Sequence, residues 1–332
     1  MSKTNTASNA KLQYEAGQEI SAMAAMVDSG DHKTFSTTAA LWSGKSGYEP
    51  KIYPDGLETG GVVSPGAVND KVSVAAMTCY LAGVKTTVGA DAAVSVTRPA
   101  SSPTGLKNIS SITINSAGAI AVVAGIDAAA FSTTRGAAGG PPLIPVGSIE
   151  IAQVKLSAST AALIASAEIF QVPGSSQERY DYPVWDEDPF AGEITLASAL
   201  PAIHVGSPAT YKGVYAEIYE PVFADLEPVS DFVAPETSYS VSSSQVYGGV
   251  VGSDSASLGQ GSFKCFLKDG VTDSIVAQKG QVLFFKHFPD RNKTPYVLCQ
   301  GKLGIARTWP AGDSIQAACT ISASEEGIEA AS

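Results

Sequence analysis

The histidines are the residues of this sequence best suited to proton transfer or metal binding. They are His32, His204 and His287, and each stands in a different local context, far from the others along the chain. None belongs to an HExxH run or to another spacing that places metal ligands on one helix face. The sequence therefore predicts no catalytic residue and no metal site.

Two short motifs contain groups that bind phosphate or cations in other proteins. Residues 42–47 read WSGKSG, but position 39 is alanine, so the first glycine of a phosphate-binding loop is missing. Residues 185–189 read WDEDP, without the alternating frame and final glutamate of a calcium loop. We expect an exposed acidic loop at 185–189 and no cofactor. A hydrolase that uses carboxylates from 178–236 is the enzymatic alternative.

The cysteines stand far apart in apolar, strand-like contexts, and no CxxC motif occurs. A zinc ribbon or a thioredoxin-like redox site needs such a motif. We predict buried, reduced thiols at Cys79, Cys265, Cys299 and Cys319.

The chain has 332 residues and a formal net charge of −11. Nucleic-acid affinity comes mainly from Lys and Arg on phosphates, so an acidic chain is a poor candidate for holding DNA. The same charge suits a surface that DNA passes without sticking. The start of the chain lacks a signal-peptide pattern, and the most apolar run (119–131) contains Asp127 and is too short to span a bilayer. We expect a soluble protein, made in a cytoplasm, with no membrane partner.

The charge is divided unevenly along the chain. Twelve acidic and two basic residues lie between Glu178 and Glu236, whereas eight basic and three acidic residues lie between Gly261 and Trp309. One interpretation is two solvated faces. The other is a molecule with complementary patches that meets copies of itself head to tail.

One amphipathic helix is predicted near the start, at about residues 9–29. Its apolar positions recur at spacings of four, four, three and four, which places them on one helix face. These positions are Leu12, Ala16, Ile20, Met23 and Val27. Asn9 is suited to cap the start and Gly30 the end.

Most of the remaining pattern is typical of strands. Alternating or β-branched runs, separated by Gly, Pro and Ser clusters, cover 71–81, 92–98, 110–125, 147–156 and 167–172, and four more follow residue 261. A hairpin turn is predicted at Ser116-Ala117-Gly118, and an apolar phase shift between Ile151 and Val154 predicts a bulge. Residues 238–262 favour a long polar hairpin with a flexible tip over a linker, and 135–147 is predicted to be a loop with a mobile tip.

The stretch 183–193, together with 201–210, is rich in Pro and Asp and lacks periodicity, which predicts a domain boundary. We therefore assign 1–200 to a β-rich N-terminal domain that includes the helix, and 201–332 to a C-terminal β domain.

The last strand follows a Trp-Pro-Ala-Gly-Asp corner at 309–313. Ile315, Ala317, Cys319 and Ile321 share one face by the strand period of two. Trp309 is predicted to close the end of the core beneath this strand, with an intersubunit contact as the alternative.

Residues 258–322 resemble the C-terminal part of major tail (tail tube) proteins of long-tailed, siphovirus-type bacteriophages. The matching features are an apolar strand with a Gly-Ser lead-in and the PDR turn at 289–291. They continue with a Gly-containing strand and with the Trp-Pro-Ala-Gly-Asp corner that leads into the closing strand.

The resemblance implies a mainly β fold: a tail-tube-like sandwich or barrel with a long hairpin and a flanking helix, beside a second β-rich N-terminal domain. It also implies a structural virion protein and not an enzyme. Its partners would be copies of itself, in trimeric or hexameric rings stacked head to tail, and other tail proteins, with viral DNA passing through without specific binding. The N-terminal half would be a second tube-like domain or a decoration domain. A phage surface adhesin or decoration protein, with 135–145 as a binding tip, is the alternative.

Overall fold

A computed structural model describes residues 9–30, 33–38, 41–171, 184–206, 210–247 and 249–330. The protein is mainly β, as the sequence predicts. Two short helical segments occur in the described ranges, a 3-10 turn at Ser166–Glu168 and α1 at Ser274–Ala277. The strands, in chain order, are β1 (Lys11–Ile20), β2 (Ala24–Ala25), β3 (Val27–Asp28), β4 (Thr34–Ser36), β5 (Lys51–Pro54), β6 (Gly56–Gly60), β7 (Val63–Pro65), β8 (Lys71–Val74), β9 (Met77–Leu81), β10 (Val84–Val88), β11 (Asp91–Ser95), β12 (Asn108–Ile114), β13 (Ile120–Val123), β14 (Ile149–Leu156), β15 (Ile169–Gln171), β16 (Trp185–Asp188), β17 (Glu193–Leu196), β18 (Val214–Glu217), β19 (Tyr219–Leu226), β20 (Val229–Val233), β21 (Thr237–Val246), β22 (Gly249–Leu258), β23 (Gly261–Phe266), β24 (Val282–Phe288), β25 (Tyr296–Thr308), β26 (Gln316–Ser322) and β27 (Ile328–Ala330).

No helix among the described residues combines the length and the apolar character needed to cross a membrane.

The chain forms two compact units, each built from separate stretches of sequence. Unit 1 comprises residues 1–21, 41–49 and 218–332, and unit 2 comprises 22–40 and 50–217. The predicted boundary at 200/201 lies inside unit 2, and the first strand belongs with the C-terminal sheet. Both stretches of unit 2 thus lie between the first strand of unit 1 and residue 218, and residues 41–49 of unit 1 separate them.

The predicted helix at 9–29 is wrong, because Lys11–Ile20 is the strand β1. It pairs antiparallel with β19 on one side and with β24 on the other. A spacing of four, as between Leu12 and Ala16, is also a multiple of the strand period of two, so the apolar pattern fits both structures. The strand forms because β1 pairs on both sides, with β19 roughly 200 residues away and with β24 more than about 270 residues away.

Unit 1 is one antiparallel sheet in the order β19-β1-β24-β25-β26-β23-β20, with β27 added beside β25. Only Glu227 and Pro228 separate the two end strands along the chain. Three residue steps span at most about 11 Å, so the sheet curls until the end of β19 lies near the start of β20. All neighbouring strands of the seven are antiparallel, so β19 and β20 run in the same direction and follow each other end to start at Glu227-Pro228. The core of unit 1 contains side chains from β1, β19 and β23–β26, together with Ile275 of α1.

A buried carboxylate holds residues 41–49 against this sheet. The register of β1 shifts between Glu15 and Gly17, and Glu15 is completely buried. Its Oε2 accepts from the backbone N–H of Phe284 (3.1 Å), and its Oε1 accepts from the hydroxyl of Ser43. Trp42 is also completely buried. The WSGKSG motif therefore has a structural role in unit 1.

Unit 2 has a core between three antiparallel sheets, with orders β10-β9-β6, β11-β8-β7 and β13-β12-β14-β15. The hairpin between β12 and β13 is confirmed, with Asn115 Oδ1 accepting from the N–H groups of Ala117 and Ala119 at 3.0 Å each. The bulge is also confirmed: Ile112 faces Ala152 and Thr113 faces Glu150, so Ile151 is the extra residue of β14 at the register shift. The other sheets of unit 2 have the orders β16-β17-β4-β3 and β2-β18-β5.

The loop at 135–147 is tied back rather than free at its tip. Arg135 donates to the carbonyl of Pro142 (2.7 Å) and forms an ion pair with Glu150, which is 4% exposed. Gly136 N–H donates to Pro141 O at 2.7 Å and closes the turn. The prediction of a mobile tip is therefore wrong.

Candidate assembly surface

The described histidines do not meet in one site. In unit 2, His204 is buried with Nε2 2.8 Å from Ser148 O and Nδ1 3.2 Å from Tyr211 O, which are contacts to backbone. His287 belongs to unit 1, where its ring stacks on Phe232. His32 lies outside the described residues. Within the described ranges no group of three or more His, Cys, Asp and Glu side chains is placed to hold a metal ion.

The acidic stretch at 185–189 is a strand and not the exposed loop that the sequence predicts. Trp185–Asp188 is β16, paired with β17, so Asp186 and Glu187 point to opposite faces. Asp188 Oδ1 accepts from the N–H groups of Phe190 (2.9 Å) and Ala191 (3.0 Å) and shapes the turn into β17. The strand period thus turns Glu187 to the face opposite Asp186 and Asp188. Glu178, Arg179 and Asp181 lie outside the described residues.

All four cysteines are buried and reduced, as predicted. Burial raises the pKa of Cys79 and Cys265 to about 11, and that of Cys299 and Cys319 to about 12. The thiolate is the reactive form, so a raised pKa lowers the reactivity at neutral pH.

We expect the native protein at pH 8 to react with Ellman's reagent at least about a hundredfold more slowly than the protein in 6 M guanidinium, because the thiolate fraction falls tenfold per pKa unit and burial blocks access. Time-resolved absorbance measures both rates. A fast native phase for even one cysteine would contradict the burial of that thiol.

Opposite charges from the acidic and basic segments meet within unit 1. Asp231 pairs with Lys264 at 2.9 Å and Glu227 pairs with Arg291 at 3.0 Å. A hydrogen bond from Lys264 lowers the pKa of Asp231. Some of the acidic and basic residues that are separated along the sequence therefore neutralise each other in ion pairs within one molecule.

The closing strand β26 has the predicted alternation, with Ala317, Cys319 and Ile321 buried and the residues between them less so. Gly312 has a φ of 76°, as the corner requires. The predicted core role of Trp309 is wrong, because its side chain is 56% exposed. The chain turns at this corner before the indole reaches the core.

The most unusual feature of the described chain is a two-stranded ribbon formed by β21 and β22, residues 237–258. Ten consecutive residue pairs run from Thr237 and Leu258 to Val246 and Gly249. At about 3.3 Å per residue the ribbon is roughly 33 Å long. Every other sheet that the structure describes has at least three strands. The predicted long hairpin at 238–262 is thus confirmed, and its strands pair only with each other.

One face of the ribbon is a ladder of hydroxyl groups. Serine oxygens face each other across the strands at 3.0, 2.8 and 2.8 Å in the pairs Ser238–Ser257, Ser240–Ser255 and Ser242–Ser253. The one charged residue between 237 and 258 is Asp254, which lies opposite Val241 on the other face. The serine face is therefore polar and uncharged. Sequence reasoning found the hairpin but not this pairing, because cross-strand partners depend on the register.

The other face of the ribbon exposes large apolar side chains. Tyr239 is 76% exposed and Val241 is 80% exposed. Exposed apolar groups beside two unpaired backbone edges mark a surface that joins another chain. An isolated two-stranded hairpin is also marginally stable in water. The ribbon is thus suited to lateral pairing with further strands.

Comparisons with protein-family models, with curated proteins and with solved structures give no significant match to this chain. Its function must therefore be inferred from the ribbon and its surroundings.

Proposed function

We propose that the protein is a bacteriophage tail tube subunit, a structural virion protein whose copies form rings that stack into a hollow conduit for viral DNA. Copies join laterally through the ribbon. The two edges differ, since one is the outer edge of β21 and the other that of β22. Pairing the β21 edge of one copy with the β22 edge of the next is a heterologous contact, which generates a ring when the rotation closes. When the ring closes, both edges of every ribbon are paired with neighbouring ribbons.

The single observation that carries this proposal is the ribbon with two open backbone edges. A sheet edge presents unpaired N–H and C=O groups, and stable monomers cover or blunt such edges. Here the ribbon is long, continuous in register and almost uncharged. These properties favour regular pairing with identical ribbons.

The serine face is suited to line the lumen. Proteins bind DNA phosphates mainly through Lys and Arg. A face of uncharged hydroxyl groups therefore lets DNA pass without strong electrostatic attraction. In this arrangement the apolar face with Tyr239 and Val241 turns outward from the lumen and packs against protein.

The double variant Ser240→Lys/Ser242→Lys is expected to convert assembled tubes from non-binders into binders of double-stranded DNA. Its affinity should fall steeply with salt, because phosphate contacts release counterions. Sedimentation of labelled DNA with tubes measures the binding. The matched control is Ser157→Lys/Ser159→Lys, which adds two charges to exposed positions of unit 2. Equal binding by both double variants would contradict a lumenal serine face.

Unit 2 is best explained as a decoration domain. Its described sheets have three or four strands each and include no second free ribbon. Each copy then contributes one ribbon, which favours six copies in a ring over three.

Negative-stain microscopy and analytical ultracentrifugation over a range of protein concentrations test the proposal. Rings and tubes are the expected result. A monomer at every concentration, including beside a tail initiator complex, would contradict it. Specific attachment of that monomer to host cells would instead support the adhesin alternative, which the tied-back loop at 135–147 does not favour.

A further inference from the structure

Phe232 and His287 form an aromatic contact between two strands that are not neighbours in the unit 1 sheet. Phe232 lies on β20 and His287 on β24, and β25, β26 and β23 stand between these strands in the sheet order. The path through those strands covers four strand spacings, about 19 Å. The two ring centroids are nevertheless 4.3 Å apart, with an interplanar angle of 16°. The contact therefore crosses the inside of the curled sheet.

Both rings lie on the inner side of this curl. His287 points to the same face of β24 as Phe285, a core residue two positions earlier. Phe232 packs against the same core. The stack thus joins β24 to the last strand of the sheet order through side chains, where no strand pairing joins them.

β20 depends on this contact because its pairing with the rest of the sheet is weak. Among the described strands it pairs with β23 alone, and the register shifts between Ser230 and Val233. Phe232 lies within this shift, next to Asp231, whose φ is 56°. The ion pair of Asp231 with Lys264 is more than half exposed on both sides, and such pairs contribute little to stability. The side chain of Phe232 is therefore a principal anchor of β20.

The contact is made with a neutral imidazole. Nδ1 of His287 is buried and forms no hydrogen bond with a described residue. A protonated ring in this place would bury a charge and an unpaired N–H donor, both of which are costly. Burial accordingly lowers the pKa of His287 from its ordinary value of 6.5. A surface pocket of about 500 Å³ has both rings in its lining, so solvent protons can reach the histidine.

The charged groups around His287 do not compensate for a proton on the ring. The nearby carboxylates already pair with cations: Asp225 with Lys11 at 3.0 Å, Glu227 with Arg291 at 3.0 Å and Asp231 with Lys264 at 2.9 Å. Lys11 and Arg291 also line the pocket, where their positive charges oppose protonation of His287. Towards β25, Val297 lies opposite His287, and Glu329 of β27 comes next in the same row, two strand spacings or about 10 Å away.

We propose that the Phe232–His287 stack is an acid-sensitive clasp: protonation of His287 opens the contact, releases β20 from the inside of the curl and loosens the base of the ribbon. β20 ends at Val233 and the ribbon begins at Thr237, so β20 is the support from which the ribbon projects. The clasp goes beyond the proposed tail tube function. It belongs to the free subunit and can be present whether or not copies form tubes.

Acid favours the open state because the exposed imidazole binds a proton more readily than the buried one. The clasp is at full strength above pH 6.5, and it weakens as the pH falls below this value until the buried ring is itself protonated. Over this range the opening constant of β20 should rise by up to about tenfold per pH unit.

Hydrogen exchange of the dilute subunit, followed from about pH 7 to about pH 5, measures the opening of β20. After correction for the intrinsic pH dependence of exchange, a peptide covering 229–236 should lose protection in the wild-type protein as the pH falls. His287→Phe keeps a ring in the contact and removes the titrating group, so its protection should not depend on pH. A peptide covering β26, residues 316–322, is the internal reference. Constant protection in the wild-type protein, or an equal loss in both proteins, would overturn the inference.

The double variant Glu227→Gln/Asp231→Asn is the matched control, because both carboxylates are more than half exposed. Its β20 peptide should keep the wild-type pH dependence, and loss of that dependence would assign the effect to the carboxylates and contradict the clasp. An NMR titration of the wild-type protein needs no variant that could fail to fold. The amide signals of β20 should titrate with the same midpoint as the ring signals of His287, below pH 6.5. A different midpoint, or no titration, would count against the clasp.

Discussion

Deletion of the ribbon should abolish ring formation while unit 1 stays folded. Residues 238–257 can be replaced by a short Gly-Ser turn, because Gly259 N–H donates to Glu236 O at 2.8 Å and holds the two chain ends together at the ribbon base. The strands of the ribbon pair only with each other, so the sheet of unit 1 loses no strand. The proposed ring, in contrast, loses all of its lateral strand pairing.

We expect the critical concentration for assembly of the deletion variant to rise by at least about a hundredfold, which corresponds to a loss of roughly 3 kcal/mol or more per contact. Ultracentrifugation measures assembly, and thermal unfolding checks that unit 1 is intact. Asp254→Asn is the matched control, since it removes the one charge of the ribbon and keeps both edges. A deletion variant that still forms rings would show that another surface joins the subunits.

The second large effect concerns the ion pair that anchors the loop at 135–147. Arg135→Ala should destabilise unit 2 by about 3–5 kcal/mol, because it leaves the buried carboxylate of Glu150 without its cation. The hydroxyl of Ser111 still donates to that carboxylate but does not neutralise it. Urea unfolding of the wild-type protein and the variant measures the difference in the free energy of unfolding.

A double-mutant cycle separates the free energy of the Arg135–Glu150 ion pair from the free energy of loop packing. Arg135→Ala/Glu150→Gln removes both charges, so it should lose less stability than Arg135→Ala alone. Lys85→Ala is the comparison at the surface, where the pair with Glu58 involves a lysine that is 54% exposed and where we expect a loss of no more than about 1 kcal/mol. Equal stability of Arg135→Ala and the wild-type protein would show that Glu150 gains another partner.

The sequence alone predicts most of the local β structure. The hairpin at Ser116-Ala117-Gly118, the bulge at Ile151 and the face of β26 that carries Cys319 follow from turn residues and from a period of two. The long hairpin at 238–262 is predicted for the same reason, since its apolar and polar residues alternate in places. Each of these features depends on residues that are close together along the chain.

Only the tertiary structure decides which strands meet and which side chains remain exposed. The spacing of Leu12 and Ala16 allows a helix or a strand, and the choice depends on β19 and β24 far along the chain. The ribbon is a candidate assembly surface because no other described strand covers its edges. Local sterics and periodicity in the sequence indicate which residues favour burial and which favour turns. Strand edges and side-chain exposure depend instead on pairing between distant segments, and the free energy of that pairing cannot be read from a short sequence pattern.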